Sequence, residues 1–340
     1  MSEFAYDGQL AAIPSAVRHM LSGTELPRLD AARPIIFCGI GTSLHAARVA
    51  TGWITSLTKG QVRPFAIDAH DLGTGVAPVV AGDQVVVISH RGKKLFPTAS
   101  LQRAREAGAA MTIAIVGQGA PAQQADVTIR TCPNETAGTF SVSYLASLAI
   151  LAQLAAPFEQ EGHAFADALP GLPDLLERTL LLPLDTQMIA RLSDVQTLLI
   201  TGFGNDLPTA QEAALKIKEG AWMWTEAMSP EFALHGTPAS FHSGMGAIII
   251  VPDHDDGGRS AVLRGVLSSL GLACVLTCDG TSTNANLPFV APMHPLLRAF
   301  PAILPFHRLT AELARYRGTD PDTLHGHREP WKTVMTGLRL

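Results

Sequence analysis

Short apolar runs alternate with helical stretches along most of the chain. Three such runs follow one another in the first half, at 34–41, 83–89 and 108–117, and they are rich in the β-branched residues that favour strands. Segments such as LQRAREAGA (101–109) have the spacing that is typical of helices. This alternation predicts an α/β fold in which a doubly wound parallel sheet is covered by helices on both faces.

The pattern of the first half recurs in the second half at a constant offset of 163 residues. Gly39 and Gly41 of PIIFCGIGTSLHAA correspond to Gly202 and Gly204 of TLLITGFGNDLPTA. The offset continues downstream through three further pairs: Val87 and Ile250, Gly108 and Gly271, and Ile113 and Leu276. A constant offset over about 75 residues predicts an internal duplication and therefore two tandem α/β domains.

The duplication also predicts domain boundaries. The segments are an N-terminal helical segment at 1–29 with a packing helix around PSAVRHMLSG, a first domain at 30–165, a second domain at 190–315, and a tail at 316–340. The stretch between the two domains is predicted to be helical, because its apolar positions are interrupted only by prolines. The tail is predicted to be irregular.

Composition excludes several classes of protein. At 47% hydrophobic and 16% charged residues, the chain is able to bury a core and is not a disordered polymer. The net charge of −5 argues against a nucleic-acid binder, which would carry a basic excess.

Cysteine usage and the hydropathy pattern indicate a cytoplasmic protein. The four cysteines form no C-x-x-C pair, which argues against a disulfide framework or a structural zinc site. The start, MSEFAYDGQL, has no charged segment followed by an apolar run, so we expect no signal peptide. No apolar stretch reaches about 18 residues, so we expect no membrane span.

Candidate binding residues follow the predicted strands, because ligands of open parallel sheets bind beyond the carboxyl ends of the strands. Four loops qualify: 39–45, 89–94, 132–141 and 202–209. In the first of them, Gly41 permits a close backbone approach, while Thr42 and Ser43 add hydroxyl donors at a helix start that attracts anions. The alternative is a tight turn in which Ser43 is only a helix N-cap.

The second loop is basic. It reads Ser89-His90-Arg91-Gly92-Lys93-Lys94 in a chain with six lysines, which favours an anion site formed by Ser89, His90, Arg91 and Lys94. The alternative is a solvated basic loop.

The third loop contains a carboxylate and hydroxyls. Glu135 is a candidate for hydrogen bonds to sugar hydroxyls, and Thr139 is a candidate binding residue. The alternative is that Thr139 or Ser141 only caps the following helix.

One predicted helix carries a group of charges on a single face. Glu212, Lys216 and Glu219 are spaced i, i+4 and i+7, so they share that face. The alternative is a surface salt-bridge ladder, which contributes only a few tenths of a kcal/mol per pair. Downstream, His235 lies between proline and glycine in a predicted loop, where a histidine is more often incidental than catalytic. The remaining histidines are dispersed, so no metal site and no cofactor are predicted.

These motifs resemble a known family. Gly41-Thr42-Ser43, the block GFGNDLPTAQEAALKIKEGAWMWTEA (202–227) and His235-Gly236 resemble the sugar isomerase (SIS) fold, most closely the isomerase half of glucosamine-6-phosphate synthase. The resemblance covers nearly the whole chain and implies two flavodoxin-like SIS domains, with the tail closing over the active site. It also implies a phosphosugar substrate held at the loop ends.

The resemblance implies a role for each charged residue. The glutamate that matches Glu219 moves a proton between C1 and C2 of the sugar, and the residues that match Glu212 and Lys216 line the same site. The histidine that matches His235 helps to open the sugar ring and comes from the neighbouring subunit, which implies a homodimer. A lysine near the C-terminus forms a Schiff base, and Lys332 is the candidate.

The chain departs from the family pattern at two places. The family's phosphate loop typically reads S-Q-S-G-E-T, whereas residues 89–94 read SHRGKK, so the anion is expected to meet guanidinium and ammonium groups. The family ending P-R-N-L-(A/S)-K appears as TLHGHREPWKTV, which leaves the match of Lys332 open. A glutaminase half with an N-terminal cysteine is also missing from this sequence.

These features predict a phosphosugar isomerase acting on an amino-sugar phosphate, with release or transfer of the amine, as in stand-alone deaminases. Two alternatives stay open from the sequence. The first is a plain aldose–ketose phosphosugar isomerase or a deglycase. The second is a non-catalytic sugar-phosphate sensor, although the N-terminal 30 or so residues are too short and insufficiently basic for a DNA-binding module.

Overall fold

The computed structural model describes residues 4–23, 25–280 and 285–338. Its strands form two five-stranded sheets, and every pairing between described strands is parallel. The chain is therefore an α/β protein with two parallel sheets, as the alternation of strands and helices predicts.

The first half of the chain contains five strands and six α-helices among its described residues. In chain order they are α1 (Ala5–Leu21), β1 (Ile35–Gly39), α2 (Thr42–Leu57), β2 (Phe65–Asp68), α3 (Ala69–Thr74), β3 (Gln84–Ile88), α4 (Leu95–Glu106), β4 (Met111–Val116), β5 (Val127–Arg130), α5 (Val142–Ala155) and α6 (Ala164–Ala168).

The second half repeats the alternation of strand and helix. Its elements are α7 (Leu172–Leu181), α8 (Thr186–Ser193), β6 (Thr197–Thr201), α9 (Leu207–Ala221), β7 (Trp224–Met228), α10 (Pro230–Leu234), β8 (Met245–Ile250), α11 (Arg259–Ser269), β9 (Ala273–Asp279), β10 (Leu287–Phe289), α12 (Ala299–Arg317) and α13 (Trp331–Gly337). Helices α6 and α7 lie in the stretch that is predicted to be helical with proline punctuation.

The chain divides into two units, one for each sheet. The first unit comprises the described residues of Ser15–Glu135, Ser141–Pro170 and His327–Leu340. The second unit comprises the described residues of Met1–Pro14, Thr136–Phe140 and Gly171–Gly326. Both units take residues from separate parts of the chain, because the division passes through α1 after Pro14, around the loop Thr136–Phe140 and through the tail after Gly326. The predicted boundaries at 30–165 and 190–315 come from the repeat alone and stay predictions.

The two sheets have the same strand order. In the first unit it is β2-β1-β3-β4-β5, and in the second it is β7-β6-β8-β9-β10. The inner strands β1 and β3 are buried along their whole length, as strands covered by helices on both faces must be. In each sheet the direction in which successive strands are added changes between two neighbouring strands, β1 and β3 in the first sheet and β6 and β8 in the second. Open parallel sheets place their ligand crevice at such a point.

The glycines that define the repeat have matching local structure. A Cβ at Gly39 would lie 2.6 Å from the carbonyl carbon of Ser43, and one at Gly202 would lie 2.4 Å from the carbonyl oxygen of Asp206. In both loops, therefore, only glycine lets the backbone four residues later pass over the strand end. Gly41 and Gly204 also share a left-handed conformation, with φ of 55° and 56°. An internal duplication predicts this agreement.

The N-terminal helix begins earlier than the sequence predicts. Helix α1 extends from Ala5 to Leu21 and includes Pro14, whereas the predicted helix lay around PSAVRHMLSG. The extension depends on a residue more than 300 positions away. The carboxylate of Asp322 accepts hydrogen bonds from the backbone N–H groups of Ala5 at 2.8 Å and Tyr6 at 2.9 Å, which caps the helix start.

The tail is not wholly irregular, which corrects the expectation for 316–340. Helix α12 continues to Arg317 and ends at Gly318, which has φ of 64° and is suited to a helix end. A short helix, α13, follows at Trp331–Gly337, and its described residues are exposed. Whether the tail closes over a site stays a prediction.

Candidate active site

Three charged side chains of α9 form one cluster in the second unit. The ammonium nitrogen of Lys216 lies 2.5 Å from a carboxylate oxygen of Glu219 and 3.5 Å from one of Glu212. The contact between these residues is what their spacing on one helix face predicts. The surface-ladder alternative is wrong, because the side chains of Lys216 and Glu212 are only 1% and 0% exposed.

The three side chains of the cluster differ in burial, and only Glu219 is accessible enough for proton transfer to a bound molecule. The Glu219 side chain is 26% exposed, so its carboxylate reaches solvent while the other two groups do not. Two carboxylates face one ammonium, which leaves a formal charge of −1 at the accessible end when all three are ionised. Glu219 is thus placed to accept a proton from a bound molecule, with a cation directly beside it.

Close helix packing holds the cluster against α12. A Cβ at Gly220 would lie 2.4 Å from Cγ2 of Thr310 and 3.2 Å from Cβ of Pro321. Glycine at this position therefore lets α9, α12 and the tail meet next to Glu219. The same contact locates Thr139, whose buried hydroxyl oxygen would lie 3.5 Å from that Cβ and has no hydrogen-bond partner among the described residues.

His235 and Lys332 are placed at exposed positions. His235 follows α10 as its C-cap residue, and Lys332 lies on α13 in the first unit. Within the described part of the chain, neither side chain has a hydrogen bond or an ion pair. Ring opening by His235 and imine formation by Lys332 stay predictions.

The candidate anion loops of the first unit follow neighbouring strands. Strands β1 and β3 are paired, so the loop that contains Gly41 and the loop that begins at Ser89 leave the same edge of the sheet side by side. Thr42 and Ser43 lie in the first turn of α2, and Gly41 occupies the cap position without a side-chain hydrogen bond. Ser43 is therefore not an N-cap, and its backbone N–H donates to the carbonyl of Ile40 at 3.1 Å.

The basic loop combines a tight turn with a helix start. The N–H of Gly92 donates to the carbonyl of Ser89 at 2.8 Å, and Lys94 is the N-cap residue of α4. Burial, followed by the charges of Arg91 and Lys93, lowers the pKa of Lys94. Neither lysine has an ion pair in the regions that the structure describes. The mutual repulsion of these closely spaced cations supports the predicted anion site.

His90 in the same loop is largely packed. Its ring lies so close to Gly117 that a Cβ there would approach the imidazole carbon Cε1 to 2.6 Å. Burial lowers the pKa of His90, against the opposing charge of Glu135. This favours a neutral imidazole that supports the loop.

Glu135 is engaged at the start of α5. Its carboxylate accepts hydrogen bonds from the backbone N–H groups of Ser141, Val142 and Ser143 at 2.8 to 2.9 Å. The hydroxyls of Ser141 and Ser143 donate to it as well. The helix is thus capped by Glu135 and not by Ser141 or Thr139, and binding of sugar hydroxyls by Glu135 stays a prediction.

The corresponding crevice of the second unit is filled by an internal ion pair. Arg298 Nε lies 3.0 Å from both carboxylate oxygens of Asp206, and the guanidinium also donates to the carbonyl of Val251. Burial raises the pKa of Asp206 to about 6, against the opposing effect of Arg298. The loop at 202–209 therefore carries its own cation and is less suited to an anion than the basic loop.

Sequence reasoning missed a buried pair of polar residues in the unit that carries the α9 cluster. They are Tyr6 on α1 and His307 on α12, whose Oη and Nδ1 atoms lie 2.8 Å apart. Both are fully buried. A single polar residue within an apolar helical pattern was the available signal, but it does not reveal the partner, since the two residues are 301 positions apart.

The described residues contain neither a candidate metal centre nor a helix that could cross a membrane. No group of three or more His, Cys, Asp or Glu side chains there has an arrangement that would hold a metal ion. None of the described helices combines the length and the apolar character needed to cross a bilayer.

Comparison with known proteins identifies the domain around the basic loop. Residues 28–157 match the model of the SIS domain. The chain is 28% identical over 256 residues to a glutamine–fructose-6-phosphate aminotransferase (isomerizing) of Methanococcus maripaludis, a match that covers 73% of this chain and 41% of the relative. The chain thus spans about two fifths of the length of this curated relative. It contains a SIS domain and is homologous to the isomerase part of these aminotransferases.

Solved structures agree on the fold of nearly the whole chain. The C-terminal domain of glucosamine-fructose-6-phosphate aminotransferase from Francisella tularensis superimposes with a TM-score of 0.82 at 20% identity, covering 94% of this chain and 98% of that one. Glucosamine-6-phosphate deaminase from Thermotoga maritima does so with a TM-score of 0.74 at 18% identity, covering 94% and 97%. The assignment of the second sheet to a second SIS domain stays a prediction.

Proposed function

We propose that this protein is a phosphosugar isomerase that acts on an amino-sugar phosphate and releases or transfers its amine, as a homodimer with two SIS units. The observation that carries the proposal is the α9 cluster, in which Glu219 is accessible and Lys216 is a buried ammonium 2.5 Å away. Isomerisation requires a base that moves a proton between adjacent carbons and a cation that stabilises the oxyanion formed on the way. The cluster supplies both groups.

The reaction balances without a cofactor. In the open-chain aldehyde form of glucosamine 6-phosphate, Glu219 removes the proton from C2, and the electron pair moves to form an enediol-like intermediate whose oxygen is stabilised by Lys216. The C1 oxygen takes up a proton from solvent, and Glu219 returns its proton to C1, which leaves a protonated imine at C2. Water hydrolyses this iminium to fructose 6-phosphate and ammonium. The imidazole of His235 is the candidate that assists ring opening as a general acid/base.

The basic loop supports an anionic substrate. Arg91, Lys93 and Lys94 surround one turn at the start of α4, and the paired strand β1 brings Thr42 and Ser43 to the same sheet edge. Guanidinium and ammonium groups with a helix start are suited to a phosphate. This loop is therefore our candidate for binding a phosphate group.

A comparison of two glutamate variants tests the proposal. Ammonia release and ketose–aldose exchange are measured with glucosamine 6-phosphate and with fructose 6-phosphate. An acid/base residue contributes 10²–10⁴-fold, so Glu219→Gln should lower kcat at least about a hundredfold while the melting temperature stays unchanged. Glu226→Gln, an exposed substitution on β7, is the matched control.

The outcomes distinguish the alternatives. Exchange without ammonia release would identify a plain isomerase. If the folded wild-type protein binds phosphosugars in a thermal-shift screen but turns over none, it is a sensor and the enzyme proposal is wrong. Turnover by Glu219→Gln close to that of the wild type would remove Glu219 from the mechanism.

A further inference from the structure

A buried imidazole lies beside the α9 cluster. His307 is completely buried, and its Nδ1 lies 2.8 Å from the hydroxyl oxygen of Tyr6. Burial lowers the pKa of His307 to about 3, while the charge of Glu212 raises it and that of Lys216 lowers it. The ring is therefore neutral at ordinary pH, and it is close enough to both charged groups to interact with them electrostatically.

The other ring nitrogen requires a polar neighbour. Nε2 of His307 is buried and has no hydrogen-bond partner among the described residues. A buried donor or acceptor left in that state costs about 1–3 kcal/mol. A group of this kind calls for an explanation, and the charges that act on this ring are those of Glu212 and Lys216.

Tyr6 is itself held firmly in place. The carboxylate of Asp322 accepts from the backbone N–H of Tyr6 at 2.9 Å, and Asp7 pairs with Arg315 on α12 at 2.5 Å. These contacts fix the start of α1 against α12 and the tail. The Tyr6 hydroxyl therefore has a fixed position and holds the imidazole of His307 through their hydrogen bond.

The helix that carries His307 is equally constrained against α9. Thr310, one turn after His307, is the residue whose Cγ2 a Cβ at Gly220 would meet at 2.4 Å. The Thr310 hydroxyl donates to the carbonyl of Phe306 at 2.9 Å, which holds its rotamer. The two helices thus cross closely within one turn of the imidazole, so a displacement of the ring is transmitted to the cluster.

We propose that Tyr6 and His307 are positioning residues for the Glu212–Lys216–Glu219 cluster. This inference rests on the proposed function. The Tyr6 hydroxyl donates to Nδ1, which places the ring proton on Nε2, and the neutral ring orients the buried charges without adding a second cation. Lys216 then remains the single positive charge between two carboxylates, and Glu219 is held in the orientation that proton transfer requires.

Kinetic comparison of three variants tests the positioning role. Misplacement of reacting groups by about 1 Å costs about a hundredfold in rate, so His307→Leu should lower kcat by about that factor with KM within about twofold. His307→Gln, which keeps a donor near the position of Nε2, should recover at least about tenfold of the loss. The kcat of Tyr6→Phe should lie between those of His307→Leu and His307→Gln. The matched controls are His163→Gln and Tyr316→Phe, both at exposed positions.

A structural role alone would give a different pattern. It would lower the stability of the variants to urea but leave kcat per folded molecule and its pH profile unchanged. That pattern in Tyr6→Phe and His307→Gln would overturn the inference, even if His307→Leu did not fold.

A spectroscopic measurement separates this inference from the proposed function. In ¹⁵N spectra of the full chain, His307 should carry its proton on Nε2 from pH 6 to 8, and the Lys216 ammonium signal should shift in His307→Leu and be restored in His307→Gln. A proton on Nδ1, or a Lys216 signal that is the same in all variants, would contradict the positioning role. If the wild type turns over no phosphosugar, the proposed function fails, whereas these spectra still decide the arrangement.

Discussion

Removal of the buried ammonium should destabilise the protein strongly. In Lys216→Met, the carboxylate of Glu212 stays at 0% exposure and loses a cation that lies 3.5 Å away. At an effective dielectric constant of about 20, that pair interacts by about 5 kcal/mol. Breaking a buried pair by deleting one partner typically costs 3–5 kcal/mol, because the remaining charge is uncompensated. We therefore expect a loss of about 3–5 kcal/mol in the free energy of unfolding.

A double-mutant cycle provides the measurement. Urea unfolding at pH 7 is followed by circular dichroism for the wild type, Lys216→Met, Glu212→Gln and the double variant. Glu212→Gln leaves Lys216 with its contact to Glu219, so its loss should be smaller, about 1–3 kcal/mol. The double variant removes both buried charges and should recover at least about half of the Lys216→Met loss, which corresponds to a coupling energy of at least about 2.5 kcal/mol.

The matched control is a lysine–glutamate ion pair at the surface. Lys59 lies 2.6 Å from Glu161, but the two side chains are 61% and 77% exposed. Lys59→Met should therefore leave the unfolding free energy within experimental error, because solvent screens this pair. If Lys216→Met costs no more than Lys59→Met, or if the two single losses in the buried pair simply add, burial does not determine the energetics of this cluster and the reasoning is wrong.

Two further predictions concern the same region. Burial lowers the pKa of His307 from 6.5 to about 3, so between these values the native state binds fewer protons than the unfolded state. Stability should therefore fall as the pH is lowered from 6.5 towards 3, by about 1.4 kcal/mol per pH unit relative to His307→Gln. Urea unfolding of both proteins at pH 6.5 and 5 checks this, and a difference that does not change with pH would contradict it. Gly220→Ala should cost about 1–3 kcal/mol, because its Cβ would lie 2.4 Å from Thr310 Cγ2. Gly265→Ala on α11, where a Cβ meets nothing within 4 Å, should be neutral or slightly stabilising, and equal effects of the two substitutions would exclude the steric explanation.

The elements of the fold could be predicted because they depend on local pattern. Apolar runs such as QVVVI at Gln84–Ile88 become buried strands, and the paired glycines Gly41 and Gly204 adopt the same left-handed conformation. The i, i+4, i+7 spacing likewise placed Glu212, Lys216 and Glu219 together, since helix geometry alone determines which positions share a face.

Other features depended on contacts between distant parts of the chain. The start of α1 depends on a cap from Asp322, and the burial of Lys216 depends on the approach of α12 at Gly220. Glu135 caps α5 with its carboxylate, although its position in a polar loop is equally compatible with a binding role.

The sequence by itself determined the order of strands and helices, the repeat and the face on which the α9 charges lie, because each of these follows from spacing within a few turns or strands. Only the tertiary structure decided that those charges are buried and that His307 meets Tyr6, 301 residues away. The physical reason is that burial and pairing of polar groups are set by which surfaces pack together. Sequence spacing does not encode that outcome when the partners lie on α1, α9 and α12.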